Sequence, residues 1–200
     1  MINISDRHQC IFIHIPKCAG TSLKQTLGLP GKGHPPWNWF AANAPGKWNA
    51  YLKFTIVRNP WDRFVSAYVY ATMKESYWHG ERKGMHPDYG LLTNQSFEAC
   101  CEIALQRRTD LKHESWYPQH LWIAQEINDE NRLMVDLVLR YERLEEEMAV
   151  LSERLGIESM VLPCINASSH DNYRDFYNEK TRKIIAELYA VDIALLGYTF

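Results

Sequence analysis

Lys17, Gly20, Thr21 and Ser22 stand together in HIPKCAGTSL, residues 14–23, at the end of the apolar run CIFIHI, residues 10–15. A full positive charge, a residue without a Cβ and two hydroxyls at a strand-to-helix turn are the parts of an anion site. Backbone N–H groups at a helix start carry partial positive charge, and glycine lets a backbone approach closely. A second stretch, FTIVRNPWDRFVSAY at residues 54–68, repeats the arrangement. Arg58 ends an apolar strand, and Ser66 follows eight residues on, so both can face a crevice above a sheet. The guanidinium fork suits a phosphate and the serine adds a hydroxyl. The plainer readings are an ordinary turn with a solvated Lys17, and an Arg58 that pairs with Asp62 or a sheet-end carbonyl.

The first turn is not a Walker A loop, which requires Gly-x-x-x-x-Gly-Lys-[Ser/Thr]. Here Lys17 precedes Gly20, and no acidic residue ends the second strand to hold magnesium. Cys18 heads the spacing C-x5-K, one residue type from the C-x5-R loop of cysteine phosphatases. A thiol at a helix start can be acidified, but lysine lacks the planar fork that such a loop uses. Cys18 therefore reads as a small filler of the turn, with a nucleophile as the alternative.

The elements around these residues alternate. Cys10–Ile15, Leu52–Val57 and the run LMVDLVLRY, residues 133–141, read as buried strands. Thr21–Leu27 opens a helix, and Asn59 and Pro60 form the N-cap and first position of another. GLPGKGHPPWNW, residues 28–39, reads as loop. Residues 75–94 read as an irregular lid or insertion. SFEACCEIALQRR, ERLEEEMAVLSERLG (ending at Gly156) and NEKTRKIIAELYAVDIALLGY read as helices, and LPCINASSHDNY as extended or loop. The expectation is an α/β fold in three layers: a mainly parallel sheet with helices on both faces, in one domain over residues 1–200. Ligands of such sheets sit at the carboxyl ends of the strands, where both motifs fall.

A formal net charge of −2, with no long block of one sign, argues against a broad grip on nucleic acid. Cys10, Cys18, Cys100, Cys101 and Cys164 include no CxxC pair, which points to reduced thiols rather than a disulfide framework or zinc site. The start MINISDRHQC shows no signal pattern and no apolar run approaches a span, so a cytoplasmic protein without a membrane span is expected.

The two stretches taken together resemble the PAPS-dependent sulfotransferases, PAPS being 3′-phosphoadenosine 5′-phosphosulfate. HIPKCAGTSL is similar to the family's 5′-phosphosulfate loop and VRNPWDRFVSAY to its 3′-phosphate motif. HIPK and RNPWDR are closest to the carbohydrate branch, with its chondroitin-type and 2-O-sulfotransferases. HESWYPQ, VLRYERL and the C-terminal run resemble later family segments more loosely. The resemblance implies a P-loop nucleoside-triphosphate-hydrolase-like fold and in-line transfer of a sulfuryl group from PAPS to a hydroxyl, on a carbohydrate or glycoconjugate. It assigns PAPS to Lys17, Cys18, Ala19, Gly20, Thr21, Ser22, Arg58 and Ser66, with Cys18 departing from the family's commoner Thr. Asn166 and Ser168 approach the nucleotide by the same resemblance. Sulfate carries less charge than phosphate, so no metal is expected. The alternatives are a small-molecule or nucleotide kinase on the same architecture, and a non-catalytic PAP- or PAPS-binding module.

The acceptor hydroxyl requires a general base. His14 precedes the loop and suits packing or a supporting contact; His79 and His86 fall in the lid; His8 and His170 have no special context. His34, in GKGHPPW between the two motifs, matches by resemblance the histidine that serves as base in 2-O-sulfotransferase-like members. His113 is the second candidate. With Gln119 it forms His-x5-Gln, which can instead line the acceptor site. Trp37, Trp39, Trp116 and Trp122 offer either sugar platforms or packing, and Glu142 a helix-capping charge.

Overall fold

A computed structural model describes residues 1–79, 82–158, 160, 162 and 172–200. Cys164, Asn166, Ser168 and His170 lie outside the described residues, as does the side chain of His79. In chain order the elements are β1 Ile4–Ser5, β2 Cys10–Ile13, α1 Gly20–Thr26, α2 Trp37–Asn43, α3 Pro45–Ala50, β3 Leu52–Val57, α4 Pro60–Thr72, β4 Tyr77–His79, β5 Arg82–Gly84, α5 Tyr89–Leu92 and α6 Phe97–Gln106. They continue as α7 His120–Ile123, β6 Ala124–Ile127, β7 Glu130–Leu133, β8 Leu137–Arg140, α8 Leu144–Leu155, α9 Glu179–Leu188 and α10 Ala190–Leu196. They divide into two compact units, Met1–Arg58 with Gln119–Ala167, and Asn59–Pro118 with Ser168–Phe200. Among the described residues no helix is long and apolar enough to cross a membrane.

The first unit is mixed α/β, with a sheet in the order β1-β2-β3-β8. β2 and β3 run parallel with Phe12 opposite Phe54, β3 and β8 run parallel with Ile56 opposite Leu139, and β1 is antiparallel to β2. Cys10, Ile11, Phe12 and Ile13 are each 0% exposed. Successive strand side chains point to opposite faces, so both faces of β2 are covered. The polar Thr55 is tolerated in β3 because its hydroxyl donates to the Ile13 carbonyl at 2.8 Å. The expected strand over residues 133–141 is shorter, because Asp136 breaks it. The Asp136 N–H donates to the Lys53 carbonyl, and its carboxylate accepts from the Lys53 N–H, both at 2.8 Å. Leu133 belongs instead to β7, which pairs with β6 in a hairpin turned at Asn128 and Asp129, with φ of 52° and 62°. Two consecutive positive φ values are the mark of a type I′ turn.

In the second unit the Asn59 side chain accepts from the Trp61 N–H at 3.1 Å and Pro60 opens α4, as the sequence predicts. Phe64, Val65, Cys101, Trp116, Ile185 and Tyr189 are among the buried residues of its core. Among the described residues of 75–94, which the sequence suggested as irregular, β4 and β5 pair antiparallel and α5 is one helical turn. The expected final helix is two, α9 and α10, broken at Tyr189, whose hydroxyl donates to the Trp116 carbonyl at 2.8 Å.

Candidate functional site

β2 ends at Ile13, and the chain reaches α1 through two residues in the left-handed region, Lys17 at φ 70° and Ala19 at φ 57°. Neither is glycine. Such conformations cost of the order of 1–3 kcal/mol each and gather at functional turns. The Cys18 thiol is 1% exposed and faces the carbonyls of Pro16 at 3.7 Å and the Gln119 side chain at 3.5 Å. Lys24, which completes the C-x5-K spacing, donates its ammonium to the Gly31 carbonyl at 2.6 Å. These contacts favour the filler reading of Cys18 over the nucleophile. Thr21 is exposed and Ser22 buried.

Gly20 has a physical reason that the sequence does not disclose. A Cβ there would lie 2.0 Å from Cδ2 and 2.1 Å from Nε2 of His14. The His14 ring thus occupies the place that a side chain at residue 20 would take. His14 is 8% exposed, and its Nδ1 has no hydrogen-bond partner among the described residues. Burial, with smaller effects from His34 and Lys24, holds this imidazole well below its ordinary value, so it is neutral. The His34 ring lies edge-on to it, 4.3 Å between centroids. His34 thus packs on the ring that packs on Gly20. Its main chain is anchored by Trp122, whose indole N–H donates to the His34 carbonyl at 2.8 Å. Trp37 ties the same region to the Ala124 carbonyl at 3.0 Å. With Trp116 and Trp122 buried, those two indoles pack the interior rather than present sugar platforms.

The second motif meets the first. Arg58 follows β3, is 5% exposed, and donates from Nη1 to the Lys17 carbonyl at 3.3 Å. Its guanidinium lies over the Tyr141 ring, 4.1 Å from the centroid. That tyrosine opens the 3₁₀ turn Tyr141–Arg143, which also carries Glu142. The Arg58 main chain is held by Gln119, whose Oε1 accepts from the Arg58 N–H at 2.9 Å and whose Nε2 donates to the Arg58 carbonyl at 2.8 Å. Gln119 was expected to line an acceptor site. Its amide is bonded to Arg58 and faces Cys18, a use that no motif announces.

The remaining candidates belong to the second unit. Ser66 lies on α4, 2% exposed. His113 accepts at Nδ1 from the Ser115 N–H at 3.1 Å, so its neutral ring carries the proton on Nε2. The His86 Nδ1 likewise accepts from the Asp88 N–H at 3.1 Å, and the two imidazoles lie 4.6 Å apart. Asp88, 1% exposed, accepts from the N–H groups of Lys112 at 2.7 Å and His113 at 3.2 Å and from the Trp116 indole at 2.8 Å.

A family model described as the sulfotransferase family matches residues 1–199. Carbohydrate sulfotransferase 11 of Mus musculus is 23% identical, over 98% of this chain and 66% of its own length. Carbohydrate sulfotransferase 10 of Xenopus laevis is also 23% identical, over 98% of this chain and 67% of its own. The chain thus spans about two thirds of the length of these relatives. An uncharacterized protein of Archaeoglobus fulgidus is 26% identical over 68% of this chain and 95% of its own length. No solved structure matches the chain.

Proposed function

The chain belongs to the sulfotransferase family, and we propose that it transfers the sulfuryl group of PAPS to a hydroxyl of a carbohydrate acceptor. One observation carries the reading: the Arg58 guanidinium donates to the Lys17 carbonyl, so two anion-binding stretches from neighbouring parallel strands converge. A nucleotide with anionic groups at both ends of its ribose calls for a cationic residue from each stretch. Lys17 and the Cys18–Ser22 turn take the 5′-phosphosulfate, and Arg58 the 3′-phosphate; Ser66 joins the latter by family resemblance. The fold is read as the three-layer, P-loop-like form of the family, acting as one domain. The carbohydrate acceptor follows the names of the relatives. The small formal charge of −2 favours a small or lightly charged saccharide over a heavily sulfated polymer.

In the proposed reaction, the bond from sulfur to the donor's phosphate oxygen breaks as a bond to the acceptor oxygen forms. By analogy with phosphoryl transfer, charge collects on the departing phosphate oxygen. Lys17 and the backbone N–H groups of its turn are the groups that neutralise it. The acceptor proton passes to His34. Two observations support that assignment. His34 lies against His14, which itself packs on Gly20. His113 has its Nδ1 committed to the Ser115 N–H, which leaves a proton rather than a lone pair on Nε2.

The test is transfer of radiolabelled sulfate from PAPS to a panel of saccharides. His34→Ala is expected to lower kcat by about 10²- to 10⁴-fold, the usual worth of a general base, while PAP still binds. Undiminished transfer by that variant contradicts the base assignment. Absence of transfer by the unmodified chain, with PAP bound, favours a binding module.

A further inference from the structure

We infer that Gln119 is a positioning residue that holds Arg58 in register with the Lys17–Cys18 turn. The inference deepens the nucleotide reading above and rests on it. Arg58 lies one residue beyond β3, whose last paired residue is Val57, opposite Arg140 of β8. Past the ladder, the main chain of Arg58 needs other partners, because a buried unpaired N–H or C=O is costly. A glutamine side chain offers one donor and one acceptor at the spacing of a backbone amide. Gln119 uses both on the same residue, closing a cyclic pair at 2.9 and 2.8 Å, and so adds one more rung to the end of β3. The same Oε1 faces the Cys18 thiol at 3.5 Å. One fully buried amide, 0% exposed, is thereby keyed to the exits of both β2 and β3.

This geometry has a consequence for the anion poles. The Arg58 side chain reaches the Lys17 carbonyl and stacks on Tyr141. Its aim depends on where the main chain stands, and Gln119 sets that main chain. Displacements of about 1 Å in a positioned group cost on the order of 10²-fold in rate. Gln119 touches neither donor nor acceptor in this account; it acts through Arg58. Glutamate keeps the shape but cannot donate to the Arg58 carbonyl. Methionine keeps the length but offers neither bond.

The experiment measures PAP affinity by calorimetry, KM for PAPS and kcat, for the unmodified chain, Gln119→Glu and Gln119→Met. Leu151→Ala, a cavity in the buried face of α8, serves as a control for general loss of stability. The expected result is PAP binding weakened at least tenfold in both Gln119 variants. KM for PAPS rises by a similar factor, the pH dependence of kcat keeps its midpoint, and the Leu151→Ala chain binds within twofold of the unmodified one. Equal PAP affinity in the Gln119 variants and the unmodified chain overturns the positioning role while leaving the nucleotide reading intact. No PAP binding by the unmodified chain overturns the nucleotide reading itself, and the role with it. Should both variants fail to fold, exchange in the unmodified chain decides the matter. The Arg58 amide and the Gln119 side-chain NH₂ are expected to exchange at least 100-fold more slowly than exposed amides, and rapid exchange of both contradicts the clamp.

Discussion

Each unit carries a pair of imidazoles at nearly the same separation, 4.3 Å for His14 and His34 and 4.6 Å for His86 and His113. The pairs differ in what holds them. In the second unit both Nδ1 atoms accept from backbone N–H groups, and the neighbouring Asp88 carboxylate is satisfied by three N–H donors. That network fixes tautomers and ties a chain crossing together. In the first unit the buried His14 Nδ1 has no hydrogen-bond partner among the described residues, as is also true of His86 Nε2 in the second, and the His34 main-chain carbonyl accepts from Trp122. Hydrogen bonds that lock a ring make a structural histidine. The proposed base role of His34 rests on its place beside His14 and Gly20.

The largest expected difference between the pairs is in rate. His34→Ala should lower kcat by about 10²-fold or more, whereas His113→Ala should alter kcat by less than about tenfold and act mainly on stability. A sulfate-transfer assay on both variants checks this, and the reverse order would exchange their roles. Next comes Asp88→Ala, which strands three donors in a buried site. A loss of about 3 kcal/mol or more is expected in urea unfolding, with the affinity for PAP kept. In the first unit Gly20→Ala drives a Cβ into the His14 ring. About 1–3 kcal/mol of destabilisation follows from overpacking, visible as a lower Tm and weaker PAP binding together.

The smallest effect is a pH dependence. Burial keeps His14 neutral in the fold, with His34 and Lys24 pushing in the same direction. The unfolded chain takes up that proton near pH 6.5. Below that value the unfolded state binds more protons, so stability present above about pH 6.5 is lost as the pH falls towards the depressed folded value. The slope from this group is at most about 1.4 kcal/mol per pH unit. His14→Gln should flatten the unfolding free energy by up to that amount between about pH 6.5 and 5. An unchanged slope would show that His14 is not held neutral.

Much of the first unit could be read from residue order, and the reasons are local. β3 matches its expected range at Leu52–Val57 because a parallel strand covered on both faces is a continuous apolar run between breakers. α8 ends on Gly156 at φ 63°, as its glycine implies. The β6–β7 hairpin escaped because its strands are largely solvent-facing and carry no apolar alternation. The signal was the Asn128–Asp129 turn. The break at Tyr189 escaped because the apolar pattern runs on through it. Lys17 and Arg58 were found as charged residues at strand ends, which is a pattern. The hydrogen bonds of Gln119 to Arg58 were not, since a buried amide with distant partners leaves no periodic trace. The packing of His14 on Gly20 was not legible, because a sequence shows that a Cβ is missing but not what lies beside its place.

The central claim is that the exits of β2 and β3 form one site for a doubly anionic nucleotide. PAP titrated into the unmodified chain, Lys17→Ala, Arg58→Ala and the double variant tests it most directly. The account predicts saturable binding, with a stabilisation of about 2.7 kcal/mol at 100 times Kd, weakened by each single substitution and less than additively by both. A melting temperature that PAP does not raise in the unmodified chain would contradict it.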